Sequence, residues 1–184
     1  MRRRKTTNFL TASILTFLCL LLNSCQPQSS SLSETDKQEL KSSANELLTQ
    51  WHKAASEANF DAYFGKMDSI SVFIGTDASE NWSKKEFADF SKPYFDKGKA
   101  WSFSAVDRNI YANEDGSFLW FDEVLDTWMG LCRGSGVIEN SKGSLKIKQY
   151  VLSVAIPNDV IEEVNAIKRE KDSLQMLLFK NIDR

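Results

Sequence analysis

Between residues 100 and 155 the chain offers four strand-length segments in succession, and this stretch restricts its possible folds more than any other. The segments are 100–111, 117–127, 129–139 and 144–155. Asn113-Glu114-Asp115-Gly116 and Asn140-Ser141-Lys142-Gly143 carry turn residues suited to hairpins, so the segments are expected to run antiparallel as a meander. Helical patterns come earlier. Ser33-Glu34-Thr35-Asp36 supplies a hydroxyl cap and early acids, which suit the positive end of a helix. Leu40, Ala44, Leu47, Leu48, Trp51, Ala54, Ala55 and Ala58 then follow at steps of three and four and make one apolar face. Residues 60–64 suggest a short helical turn, 69–75 a strand, and 76–81 a polar turn. Ser83-Lys84-Lys85-Glu86 opens a third helix with Phe87, Phe90 and Tyr94 on its apolar side. Early helices and late antiparallel strands argue for an α+β fold, in which a curved sheet wraps the long first helix and buries its face.

Both ends carry separate signals. Met1-Arg2-Arg3-Arg4-Lys5 is basic, residues 9–22 are mostly apolar, and the run ends at Leu22-Asn23-Ser24-Cys25. This is the layout of a secretory signal. Its fourteen-residue apolar run is shorter than the roughly 20 residues of a membrane-spanning helix. Residues 26–33 are polar and read as a flexible tether. At the other end, residues 158–179 pattern as a helix. Val160, Val164, Ile167, Lys171, Leu174 and Leu178 repeat at alternating steps of four and three, a heptad seam with one lysine in it.

Charge and cysteine count remove several function classes. The chain has 23 basic and 25 acidic residues, and four of the basic ones precede Cys25, so a chain starting at Cys25 carries a net charge of −6. That disfavours nucleic acid, which needs clustered Lys and Arg. Of Cys19, Cys25 and Cys132, only the last lies within the folded part, which excludes an intradomain disulfide and a cysteine zinc site. No metal ligand set and no cofactor motif is read.

Leu22-Asn23-Ser24-Cys25 resembles a bacterial lipobox. The resemblance implies cleavage before Cys25, a lipid anchor on its sulfur, and a place in a bacterial envelope. Because Gln26 is not Asp, the expected place is the outer membrane, facing the periplasm or the surface. The folded part resembles a SnoaL-like domain of the nuclear transport factor 2-like superfamily. The stretches that carry the resemblance are Phe73-Ile74-Gly75-Thr76-Asp77 with Trp82, Trp120-Phe121-Asp122-Glu123, Arg133-Gly134-Ser135-Gly136-Val137, and residues 145–153. It implies a cone with a six-stranded curved sheet and a pocket, and often a homodimer through the outer sheet face. Members include dehydratases and isomerases as well as binding modules. Histidines that often stand in the last long strand are replaced here by Gln149 and Val151. The domain organisation read from all this is a signal (1–24), a tether (25–33), a SnoaL-like domain (34–157) and a C-terminal helix (158–184).

Strand alternation places Trp120, Asp122, Val124 and Asp126 on one face. With odd hairpin register Leu131, Arg133, Ser135 and Val137 share it, and Gln149 joins from the last strand. The expectation is a polar cluster of Asp122, Arg133 and Gln149 at the base of a pocket lined by Trp51, Tyr63, Trp82 and Trp120. Such a pocket would bind an unknown small molecule bearing a carboxylate or carbonyl. The alternative is a dehydratase or isomerase acting beside a carbonyl with Asp122 as base, although a neighbouring arginine lowers a carboxylate's basicity. His52, one residue from Trp51, reads as a half-exposed helix histidine.

Overall fold

The computed structural model of the chain describes residues 31–181. The signal segment, Cys25 and most of the tether lie outside the described residues. Helix α1 (Glu34–Ser56) starts where Ser33 accepts a hydrogen bond from the Asp36 amide. Ala44, Leu48, Trp51, His52, Ala54 and Ala55 form its buried face. Asn59 caps the short α2 (Phe60–Gly65). Strand β1 (Met67–Ile74) follows, then β2 (Asn81–Ser83) and α3 (Lys84–Asp96). A capping box between Ser83 and Glu86 fixes the start of α3. The four expected strands are β3 (Ser104–Ala112), β4 (Phe118–Thr127), β5 (Gly130–Ser141) and β6 (Ser144–Val154). A 3-10 turn at Asn158–Val160 leads into α4 (Ile161–Asn181).

The six strands form one sheet in the order β2-β1-β6-β5-β4-β3. All neighbours are antiparallel except β1 and β6, which run parallel. The fold is the expected α+β cone, with helices on the concave side of a curved mixed sheet. Strand β2 was not expected; its first residue, Asn81, ends the stretch read as a polar turn, and its last, Ser83, was read as the start of the third helix. The hairpin between β5 and β6 is tight because Lys142 and Gly143 both take positive φ, 54° and 85°, as a type I′ turn requires.

Among the described residues the buried core runs from Ala44 to Leu152, so a chain starting at Ser31 retains all of that core. Leu32, which the sequence placed in the tether, is seated: its amide donates to the Glu114 carbonyl at 2.9 Å. Gly116 in that turn has φ of +67°, and a Cβ there would collide with Leu32 and Leu40. Helix α4 is the exception to the packing. None of its residues is buried.

Candidate functional site

Strand alternation decides which side chains reach the interior. In β4 the buried set is Leu119, Phe121, Glu123 and Leu125, so Trp120, Asp122 and Asp126 lie on the opposite, outer face. Asp122 and Arg133 do come together, but on the outer side of the sheet, and Gln149 does not join them. Asp122 pairs opposite Ser135, and Arg133 lies diagonal to it with 3.6 Å between charges, its side chain 59% exposed. Gln149 is exposed opposite Val137. Trp120 stacks on Tyr111 at 5.8 Å, outside. The reading of Asp122, Arg133, Gln149 and Trp120 as the floor of a pocket is therefore corrected. Arg133, Ser135 and Val137 do share a face with Trp120 and Asp122, as odd register requires. The error was in which parity faces inward.

Inside, a different polar group occupies the sheet. Glu123 is fully buried and takes three hydrogen bonds from three elements. Its Oε1 accepts from His52 Nε2 on α1 at 2.8 Å and from the Tyr150 hydroxyl on β6 at 2.9 Å. Its Oε2 accepts from Arg108 Nε on β3 at 2.8 Å. Arg108 Nη1 continues to Asn45 Oδ1, the Asn45 carbonyl and Thr49 Oγ1. Burial pushes the Glu123 carboxyl up, but the hydrogen bond and charge of His52 and the Arg108 guanidinium outweigh it and hold the group below its ordinary value. Burial and the adjacent carboxylate push the Tyr150 phenol well above the tyrosine range. His52 is thus not half-exposed: 6% of its surface is accessible. Its signal was present, because Leu48, His52 and Ala55 follow at steps of four and three along the buried face.

Gly134 makes room for this network, and Gly136 for the packing beside it. A Cβ on Gly134 would meet the Tyr150 hydroxyl and the Glu123 side chain, and one on Gly136 would meet the Gln149 carbonyl and the Phe121 ring. Gly134→Ala is expected to cost about 1–3 kcal/mol by overpacking, measured as a shift in the urea midpoint. An unshifted midpoint would mean that the network gives way freely.

Aromatic side chains build the hollows. Trp51 and Tyr63, expected in the pocket, are 1% accessible and stack on each other at 4.7 Å beneath it, as core. Trp82 is only partly buried. It lines an apolar cavity of about 170 Å³ with Phe73, Phe87, Phe90, Trp101, Phe103, Trp128, Met129 and Leu152. Only Thr76 and Glu80 bring polarity to that wall. Phe73 and Phe87 stack at 3.8 Å and Trp82 lies parallel to Phe87 at 5.6 Å, so the rings share one orientation. A second hollow, lined by Tyr94, Lys99 and Ser102, shares Phe90, Trp101 and Trp128 with the first. A third, polar one is lined by Thr49, His52, Lys53 and Arg108, and shares Phe103 with the aromatic cavity.

Comparison with known proteins places this architecture. The sequence matches the SnoaL-like domain over residues 44–157. No curated protein matches it. Among solved structures it is similar to a nuclear transport factor 2-like protein of unknown function from Pseudomonas putida KT2440, at 10% identity and a TM-score of 0.56, covering 67% of this chain and 92% of that one. It is also similar to a candidate dehydratase of the nuclear transport factor 2-like family from Streptomyces avermitilis, at 10% identity and a TM-score of 0.55, covering 64% and 96%. A third is the association domain of Caenorhabditis elegans calcium/calmodulin-dependent kinase II, at 16% identity and a TM-score of 0.53, covering 65% and 98%. At such identities these structures speak to the fold alone. With the family match spanning more than half of its length, the chain belongs to the SnoaL-like domain family, and its fold is nuclear transport factor 2-like.

Proposed function

We propose that this chain is a membrane-tethered domain that binds a small apolar or aromatic molecule, neutral or cationic, in the aromatic cavity between β1, α3 and the β4–β5 turn. The carrying observation is the wall of that cavity: seven aromatic rings with one carboxylate, Glu80, and no basic side chain. A ligand carboxylate would find no cation there, which turns the expectation of an acidic ligand around. A cavity of about 150 Å³ with apolar walls accepts a benzene ring, so one or two fused rings suit this one. Titration calorimetry on a chain starting at Ser31 tests the reading. The neutral probe 2-naphthol is expected to bind with a Kd on the order of 100 µM. Trp101→Ala is expected to weaken it by about tenfold, the scale of one lost aromatic contact. The anion 2-naphthoate should bind more weakly than the naphthol. Tighter binding of the anion, or indifference to Trp101→Ala, contradicts the assignment.

The tether belongs to the same proposal and rests on the sequence run ending at Cys25. Membrane-anchored protein is expected to begin at a lipid-modified Cys25, in the outer membrane, and to be released by Cys25→Ala. Mass spectrometry of the mature N-terminus checks this; an unmodified start elsewhere contradicts it.

A second reading, a dehydratase or isomerase acting beside a carbonyl, draws on one observation. His52 lines the polar hollow and its Nε2 is held by a carboxylate, an arrangement able to orient a base. In this reading the base is His52, since Asp122 is on the outer face. Against it stands the saturation of Glu123 by three donors, which suits a structural ion cluster.

A further inference from the structure

Helix α4 leaves an apolar stripe uncovered: Ile167, Leu174, Leu177 and Leu178 are 57–83% accessible, although they are large side chains on a 21-residue helix. The domain touches the flank beside this stripe. Gln175 Nε2 donates to Asp77 Oδ1 at 2.7 Å, and Val164, Asp172 and Gln175 are the partly covered residues. We infer that the stripe is the seam of a parallel two-stranded coiled coil, and that its occupant is α4 of a second copy of this chain.

Charge placement selects that occupant. With Val164, Lys171 and Leu178 at a and Val160, Ile167 and Leu174 at d, the g positions hold Glu163, Glu170 and Leu177, and the e positions hold Ile161, Lys168 and Gln175. In a parallel pair each g side chain faces the e side chain five residues on in the partner. Glu163 then faces the second copy's Lys168, twice by symmetry, while Gln175 stays hydrogen-bonded to Asp77 of its own domain. An antiparallel pair would instead bring g toward g and e toward e, where these acids and lysines meet like charges or nothing complementary. Leu177 at g extends the apolar strip at the C-terminal end. Lys171 is the single polar a residue, a position at which one charge fixes register and holds the number of strands to two at the expense of stability.

Sedimentation equilibrium on the chain starting at Ser31 tests this. A reversible dimer is expected at tens of micromolar. Ile167→Glu with Leu174→Glu is expected to give monomer. Both sites are exposed and outside the core, so circular dichroism of the domain should stay unchanged. Lys171→Leu should tighten association by about tenfold or more. The charge reversals Glu163→Lys and Lys168→Glu should each weaken the dimer, and the two together should restore it, which parallel pairing alone predicts. A monomer at all concentrations overturns the inference. So does a dimer that survives Ile167→Glu with Leu174→Glu, which would place the contact elsewhere, or a double reversal that fails to restore it.

Discussion

Glu123→Ala is expected to destabilise the domain by about 3–5 kcal/mol, the cost of removing one partner from a buried ion pair. The loss is large because three donors depend on this carboxylate. Arg108 Nε, His52 Nε2 and the Tyr150 hydroxyl would all remain inside the sheet with nothing equivalent to accept from them. Urea unfolding measures the effect, and the mechanism predicts non-additivity. Removing Arg108 as well takes away the stranded charge, so Glu123→Ala with Arg108→Ala should cost less than the sum of the two. The network also sets an acid limb. The carboxyl is lower in the folded chain than its ordinary 4.5, so protons favour the unfolded state. Its contribution is therefore complete above about pH 4.5 and is lost as pH falls through the lowered folded value. Glu123→Gln should flatten that limb. Tyr150 gives the opposite limb: its phenol is raised above the ordinary 10.0, so its contribution holds below about pH 10 and is lost as pH rises further.

Trp51→Ala is expected to cost about 3–5 kcal/mol, as large-to-small changes of buried aromatics do. Trp51 is 1% accessible and touches Tyr63 by stacking and Tyr150 edge-on, both at 4.7 Å. It therefore joins α1 to the ring cluster and supports the side of Tyr150 that holds Glu123. Trp82→Ala should behave differently, weakening ligand binding more than folding, because Trp82 is partly buried at the cavity wall. Thermal melts and probe titrations on both variants separate the two roles. Equal effects on folding would mean that the cavity wall is core.

Residue patterning carried the element order and the fold far. The period of α1, the serine caps at Ser33 and Ser83 and the turn at Lys142-Gly143 are local properties, and each is realised by local geometry. The short strand β2 was not legible, since Asn81-Trp82-Ser83 becomes a strand only by pairing with β1. The site was less legible, for a specific reason. Strand β4 alternates two sets that both contain aromatics, and the outer one also carries Asp122 beside Arg133, a pair with the chemistry of a binding site. Amphipathicity pointed the other way: Leu119, Phe121 and Leu125 are a more apolar set than Trp120, Asp122 and Asp126. Once that face is taken as interior, Glu123 is a buried carboxylate that demands partners, and His52 and Arg108 follow. Their convergence from α1, β3 and β6 joins residues 71 and 15 positions from Glu123, as well as Tyr150, 27 positions beyond it. No pattern within one element encodes that.

The five tryptophans give the most direct test, because they sit in three different places. Trp82, Trp101 and Trp128 line the aromatic cavity, Trp51 is sealed in the core, and Trp120 stands on the outer face. In a proton–nitrogen spectrum of the chain starting at Ser31, addition of 2-naphthol should shift the indole signals of Trp82, Trp101 and Trp128 together, saturating with one affinity. The signals of Trp51 and Trp120 should hold still. A shift confined to Trp120 would move the binding surface to the Asp122–Arg133 face and contradict the assignment of the cavity.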